Sequence, residues 1–174
     1  IYNYAQNIWY YGNISRTAWI DSGIRDFPLA ATYNNNIVNH EDGIDDNETG
    51  TNAGISSFIT SAQFDLDDGH RFAFIQKVYP DITFDGSTAE SPTATLSLFA
   101  AQNSGSGRNS PASEGGTNAG SITRTATAPI EAFTSRLDLR VRGRQLALKI
   151  ESSESGVKWQ LGSPRLELRP DGRR

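Results

Sequence analysis

The chain contains no cysteine and no methionine, and only two histidines. Missing thiols exclude a disulfide framework, a thiolate metal centre and a cysteine nucleophile, so stability must come from packing or assembly. No apolar run approaches the roughly 18 residues that a membrane-crossing helix requires, and no signal peptide is legible. His40 and His70 are the whole imidazole supply, nothing nearby supports a triad built on either, and neither GxSxG nor HExxH occurs. Even the first position is Ile1 rather than methionine, and the chain reads as a segment of a longer polypeptide.

What is present suffices for one ordinary domain, or a domain and a fragment, in 174 residues. Eight Phe, six Tyr and three Trp can furnish a core. The net charge of −4 conceals an asymmetry: residues 1–87 carry 12 acidic and 4 basic side chains, residues 88–174 carry 8 and 12. Such a split describes either two solvated faces of opposite sign, or a chain that docks against copies of itself or presents its basic end to phosphates.

Nearly every stretch reads as strand, so the expected class is all-β. NIWYYGN (7–13) and TAWIDSG (17–23) are short aromatic or β-branched runs closed by Gly and Asn. FPLAATYNNNIVNHE (27–41) divides into two more strands at Asn34-Asn35-Asn36, because Asn tolerates left-handed turn geometry. Four short strands with tight turns make one propeller-like blade, which cannot bury its own faces. Residues 1–48 are therefore expected to be the end of such a β-domain plus an acidic linker.

Residues 49–174 are expected to form an antiparallel β-sandwich or jelly roll. ISSFITSAQFDL (55–66), HRFAFIQKVYPDITF (70–84) and PTATLSLFAAQ (92–102) are longer and partly alternating. Phe72, Phe74 and Gln76 share one expected face; Arg71, Ala73, Ile75 and Lys77 share the other. Residues 101–121 are rich in Gly, Ser and Asn, as a long mobile or functional loop would be.

RLDLRVRGRQLALKI (136–150) places four arginines in nine positions. At period two, Leu137, Leu139 and Val141 point inward while Arg136, Asp138, Arg140 and Arg142 point outward. Gly143 is expected to turn the chain into a tight hairpin, returning through Leu146, Leu148 and Ile150. Trp159 and Leu161 continue the inward set, as do Leu166 and Leu168, whose neighbours Arg165 and Arg169 point out. Asp138, Glu151 and Glu167 can pair across strands with these arginines, each exposed pair contributing about 0.2–1 kcal/mol. A nucleic-acid reader would need a purer positive stripe with stacking aromatics on the same face, and the pattern offers neither. Planar, bidentate guanidinium groups also suit the carboxylates of a neighbouring chain.

Chemistry elsewhere is sparse. His40, Glu41, Asp42, Asp45 and Asp46 form the densest polar cluster and are the weak candidates for a divalent cation, without the ligand register of a calcium loop. The same residue types are what turns demand. Asp65 and Asp68 could serve as a carboxylate pair in glycoside hydrolysis, as could any two acids on a β-protein. No catalytic residue stands out, no cofactor is expected, and the expected role is non-enzymatic.

ISRTAWIDSGIRDFPLAA (14–31), with its core of Arg16, Thr17, Ala18, Trp19, Ile20 and Asp21, is followed by NHEDGIDD (39–46). QFDLDDGHRFAFIQKVYPDITFDGS (63–87) comes next, and the chain ends in RPDGRR. In this order the motifs resemble the C-terminal region of nozzle or tail-hub virion proteins of short-tailed bacteriophages. That resemblance spans nearly the whole chain, and the RPDGRR ending is its most specific part. It implies a propeller body with added β-domains, assembled as a homo-oligomeric ring, six copies by that resemblance, at the distal end of the tail. Adaptor and fibre proteins would be partners, and genomic DNA would make transient contact while leaving through the ring. An upstream propeller is missing from this sequence, which leaves the lumen surface mostly outside it. Under this resemblance Arg136, Arg140, Arg142, Arg144, Arg165, Arg169, Arg173 and Arg174 are the expected subunit-interface residues. The competing expectation is a carbohydrate- or receptor-binding β-sandwich of a tail fibre or spike, since exposed aromatic rings stack on sugars.

Overall fold

A computed structural model describes residues 2–5, 7–101 and 124–172. The chain is all-β among these residues, apart from one 3-10 turn at Asp67–Gly69. It divides into two compact units, Ile1–Gly43 with Asn47–Thr51, and Ile44–Asp46 with Asn52–Arg174.

The first unit holds five short strands: β1 (Tyr2–Asn3), β2 (Ile8–Trp9), β3 (Ala18–Ile20), β4 (Leu29–Ala31) and β5 (Ile37–Asn39). Strands β1 and β2 pair as a separate antiparallel ribbon, while β3, β4 and β5 form a three-stranded meander. The four-stranded blade expected from the spacing is thus replaced by a ribbon and a meander. The Asn-rich turn falls where expected, with Asn35 at φ 62 and the Thr32 amide donating to the Asn36 carbonyl at 2.9 Å. Register places Trp19, Ala30 and Val38 on one face of the meander, and Ile20, Leu29, Ala31 and Ile37 on the other. Ala30 is buried, yet Ile20 is 52% exposed and Ile37 77%. So small a sheet leaves large apolar side chains in solvent, and Trp19 on the Ala30 face is itself 53% exposed.

The second unit continues with β6 (Asp45–Asp46), β7 (Ala53–Gly54), β8 (Ser57–Thr60), β9 (Phe64–Asp65), β10 (Ala73–Tyr79) and β11 (Ile82–Thr83). It ends with β12 (Thr93–Ala101), β13 (Arg124–Glu131), β14 (Val141–Gly143), β15 (Gln145–Ser152), β16 (Gln160–Leu161) and β17 (Arg165–Pro170). One antiparallel sheet runs β13-β12-β15-β8, with β9 also on β15; a second runs β14-β10-β17. Leu96, Leu98, Leu146, Leu148 and Ile150 of the first sheet meet Ile75, Val78 and Val141 of the second, with Leu139 from the segment before β14, in one core. The expected sandwich is what forms, because alternation in both sheets supplies two apolar faces that only mutual packing can bury.

Two local readings change. Residues 136–142 do not form one strand followed by a hairpin: Leu137 makes an isolated bridge to Val78, and only β14 pairs, with β10. Gly143 then passes the chain from the second sheet to the first, where β15 pairs with β12. A Cβ on Gly143 would lie 2.8 Å from the Ala100 Cβ, so glycine permits the close crossing. In β10 the ladder slips between Ile75 and Lys77, which brings Val78 rather than Lys77 to the core side. Such a bulge flips every later side chain, freeing Lys77 to pair with Glu167 at 3.1 Å.

Edge strands β13 and β17 contain Pro129 and Pro170, which remove amides from the sheet margins. The loop expected at 101–121 lies outside the described residues beyond Ala101.

Candidate functional site

The outer face of the β14-β10-β17 sheet brings together Arg142, Arg165 and Arg169 of the eight arginines singled out in the sequence. In antiparallel register Phe74 stands opposite Arg142 on one side and Arg169 on the other. Directly opposite side chains share a face, so a phenyl ring lies between two guanidinium-bearing strands. The Arg169 guanidinium sits 4.8 Å from the Phe74 ring centroid. Phe72, two residues earlier, carries Arg142 at 3.9 Å and Arg144 at 4.8 Å. Stacking on an aromatic face suits the planar, weakly hydrated guanidinium and leaves its N–H edge available for bidentate bonding.

Each arginine is positioned differently. Arg142 donates through Nε to the Asp171 carboxylate at 2.5 Å and through NH2 to the Asp171 carbonyl at 2.9 Å. Arg144 donates to the carbonyl of Gly69 at 3.0 Å, tying the 67–69 turn to this end of the sheet. Arg136 pairs with Asp138 at 3.1 Å in an exposed setting. Arg140, Arg165 and Arg169 are exposed and form no ion pair among the described residues. Arg173 and Arg174 lie outside the described residues. The sequence pattern concealed the aromatics on this face: Phe72 and Phe74 do share a side with arginines. Yet Phe72 is buried beneath guanidinium groups, so its ring is no open platform for a base.

In the first unit, the RTAWID motif organises a second polar network. Arg16 donates through NH1 to Glu48 at 3.0 Å and through Nε to Nε2 of His40 at 2.9 Å. The Trp19 ring lies 4.5 Å from the His40 ring. Asn34 donates to the other Glu48 carboxylate oxygen at 3.1 Å. Thr17 donates both its amide and its hydroxyl to the Ala31 carbonyl, at 2.9 and 3.2 Å. Asp21 accepts from the Ser22 amide at 2.8 Å. Ala18 and Ile20 are exposed in β3. The motif therefore closes a turn and clamps the acidic segment through Glu48.

The cation candidates do not converge. Among the described residues no group of three or more His, Asp or Glu side chains is arranged to hold a metal. Asp45 instead accepts from the Gly156 amide at 2.7 Å and the Ser155 hydroxyl at 2.9 Å. Asp42 accepts from Asn39 at 3.2 Å, and Glu41 adopts φ 62. These acids serve as turn residues and backbone caps, as Asp and Asn commonly do. Asp46 is exposed at the end of β6.

No helix among the described residues is long and apolar enough to cross a membrane. No protein-family model matches the chain, and no curated protein sequence matches it.

Proposed function

We propose that this chain is a structural subunit of a short-tailed phage virion, of the nozzle or tail-hub type. In this reading it forms part of a ring through which genomic DNA leaves, and its chemistry is assembly rather than catalysis. The motif order from RTAWID to RPDGRR supports it. The observation that carries it is the open face of the β3-β4-β5 meander, where Ile20 and Ile37 stand 52% and 77% exposed. An apolar sheet face in solvent marks a packing surface, and a small sheet with such a face is how repeated β-units stack. Trp9 at 75% and Tyr11 at 74% exposure extend the unburied apolar area of this unit.

Immunoelectron microscopy of tailed virions from the source lysate, with antibody against the whole chain, tests this reading. Label at the distal tail tip is the expected result. Label on radiating fibres, or no label on any particle, would reject it.

A second reading draws on one observation, the exposed Trp9 ring with Tyr2 tilted against it at a centroid distance of 4.7 Å. Paired exposed aromatics can stack on sugar faces, which suits a carbohydrate- or receptor-binding module of a fibre or spike. A glycan array with the full chain separates the two, because glycan binding lost on Trp9→Ala belongs to the second alone.

A further inference from the structure

Along the chain the arginines that follow β13 are interrupted by acids; across the β14-β10-β17 sheet they gather. Register carries Arg142 and Arg169 to either side of Phe74, Glu167 beside Lys77, and Arg165 beside Tyr79, all on the outer face. Arg140, just before β14, lies exposed between buried Leu139 and Val141, so it points the same way as Arg142. The carboxylates on this face are each taken by one cation: Asp171 by Arg142, Glu167 by Lys77 and Asp138 by Arg136. Arg140, Arg165 and Arg169 are exposed and have no ion pair among the described residues. Positive charge is therefore in excess here, on a chain whose net charge is −4.

The excess is arranged along two margins. Arg140 and Arg142 project from the β14 side, Arg165 and Arg169 from β17, and β10 runs between them. Two strand spacings set the margins about 10 Å apart, while Arg165 and Arg169 stand about 13 Å apart along β17. The rings between the margins are covered: Phe72 is buried under Arg142 and Arg144, and Arg169 lies over Phe74. Arg169, seated over a ring, has less freedom to lose when it meets an anion, and a guanidinium so stacked still offers its N–H edge.

We propose that this face binds the sugar-phosphate backbone of duplex DNA without reading its sequence. Covered rings offer no platform for an unstacked base, which argues for paired rather than single strands. Margins about 10 Å apart suit the two phosphate rows that border a major groove about 12 Å wide, and guanidinium forks fit phosphate oxygens. A duplex offers one negative charge per about 1.7 Å of its axis. A second copy of this chain offers a sparser target. Among the described residues no three acidic or imidazole side chains converge on a common ion, and Asp45 and Asp81 are occupied by backbone amides. Acids elsewhere on the chain oppose binding weakly, since exposed charges beyond about 10 Å are screened at about 0.1 M salt. The arginines then face the DNA rather than a neighbouring subunit. This deepens the virion reading by naming the face that the departing DNA meets, and rests on that reading only for the source of the DNA.

Fluorescence anisotropy of a short labelled duplex, titrated with the full chain at several salt concentrations, tests it. The expected result is equal affinity for two unrelated sequences and a log-log salt slope of about −3, at roughly 0.9 per phosphate contacted. Arg165→Gln with Arg169→Gln should weaken binding about tenfold at low salt and make the slope shallower by about 2. Partial misfolding would lower the active fraction and leave the slope alone. Arg124→Gln with Lys158→Gln removes the same charge away from this face, from β13 and from beside Gly86, and should leave affinity within about twofold. No binding at low salt overturns the proposal, as does an unchanged slope in the Arg165 and Arg169 variant, or an equal loss in the Arg124 and Lys158 variant. Self-association without DNA that the Arg165 and Arg169 variant abolishes also overturns it, and assigns the face to a second copy. Tail labelling is a separate readout: DNA binding without label would sink the virion reading alone, and label without DNA binding would sink this inference alone.

Discussion

Nε2 of His40 accepts a hydrogen bond from the Arg16 guanidinium, and the same side chain reaches Glu48. Both members of the ion pair are largely buried, with side chains 15% and 17% exposed. Arg16→Ala removes the cation from a carboxylate of low exposure that keeps its bond from Asn34, so it should destabilise the first unit by about 3 kcal/mol. Hydrogen exchange at the amides of Thr32 and Asn36 reads this locally, with faster exchange expected. Unchanged protection would mean that the pair contributes little.

His40 is an acceptor at that contact, so its second nitrogen carries the proton in the neutral ring. His40→Gln, whose amide oxygen can still accept from Arg16, should keep protection at the amides of Thr32 and Asn36, whereas His40→Leu, which offers no acceptor, should lower it.

Gly143 is needed for space rather than for an unusual backbone. Gly143→Ala pushes a methyl group against Ala100, and overpacking of this kind costs roughly 1–3 kcal/mol. The urea midpoint should drop accordingly. Adding Ala100→Gly should recover part of the loss, since contacting residues couple in a double-mutant cycle.

Asp45 separates a cation site from a backbone cap. Asp45→Ala removes acceptors from the Gly156 amide and the Ser155 hydroxyl, for an expected loss of about 1–3 kcal/mol. Calcium should leave the melting temperature of the unaltered chain where it is. A calcium-dependent rise that Asp45→Ala abolishes would restore the metal reading.

Arg142 reaches both a ring and a carboxylate, so Lys is a poor replacement. Arg142→Lys loses the planar stack on Phe72 and the second hydrogen bond to Asp171, and should cost about 1 kcal/mol. Denaturant unfolding at low and high salt checks this, with part of the loss persisting in salt because stacking is screened less than the ion pair.

Several of these contacts were readable from the chain, and others were not. Leu96 with Leu98, and Leu146 with Leu148 and Ile150, declared their face because burial imposes a period of two. The outward arginines followed from the same rule. The slip at Gln76 and the crossing at Gly143 were hidden, because each depends on which strand lies alongside, and no local spacing encodes that. The rings of Phe72 and Phe74 met arginines from strands some seventy and ninety-five residues away in sequence, which only the register of β14 and β17 against β10 determines. Glu48 looked like one more linker acid until Arg16, 32 residues distant, claimed it.

Pro129 and Pro170 have a consequence at high copy number. Strand margins without a full row of amides are poor templates for continuous cross-chain zippering. Chains of this kind can be crowded side by side and still associate through discrete contacts, without running on into fibres. A substitution of Pro129 by valine would remove one such interruption, leaving a longer amide row on a margin that otherwise stays separate.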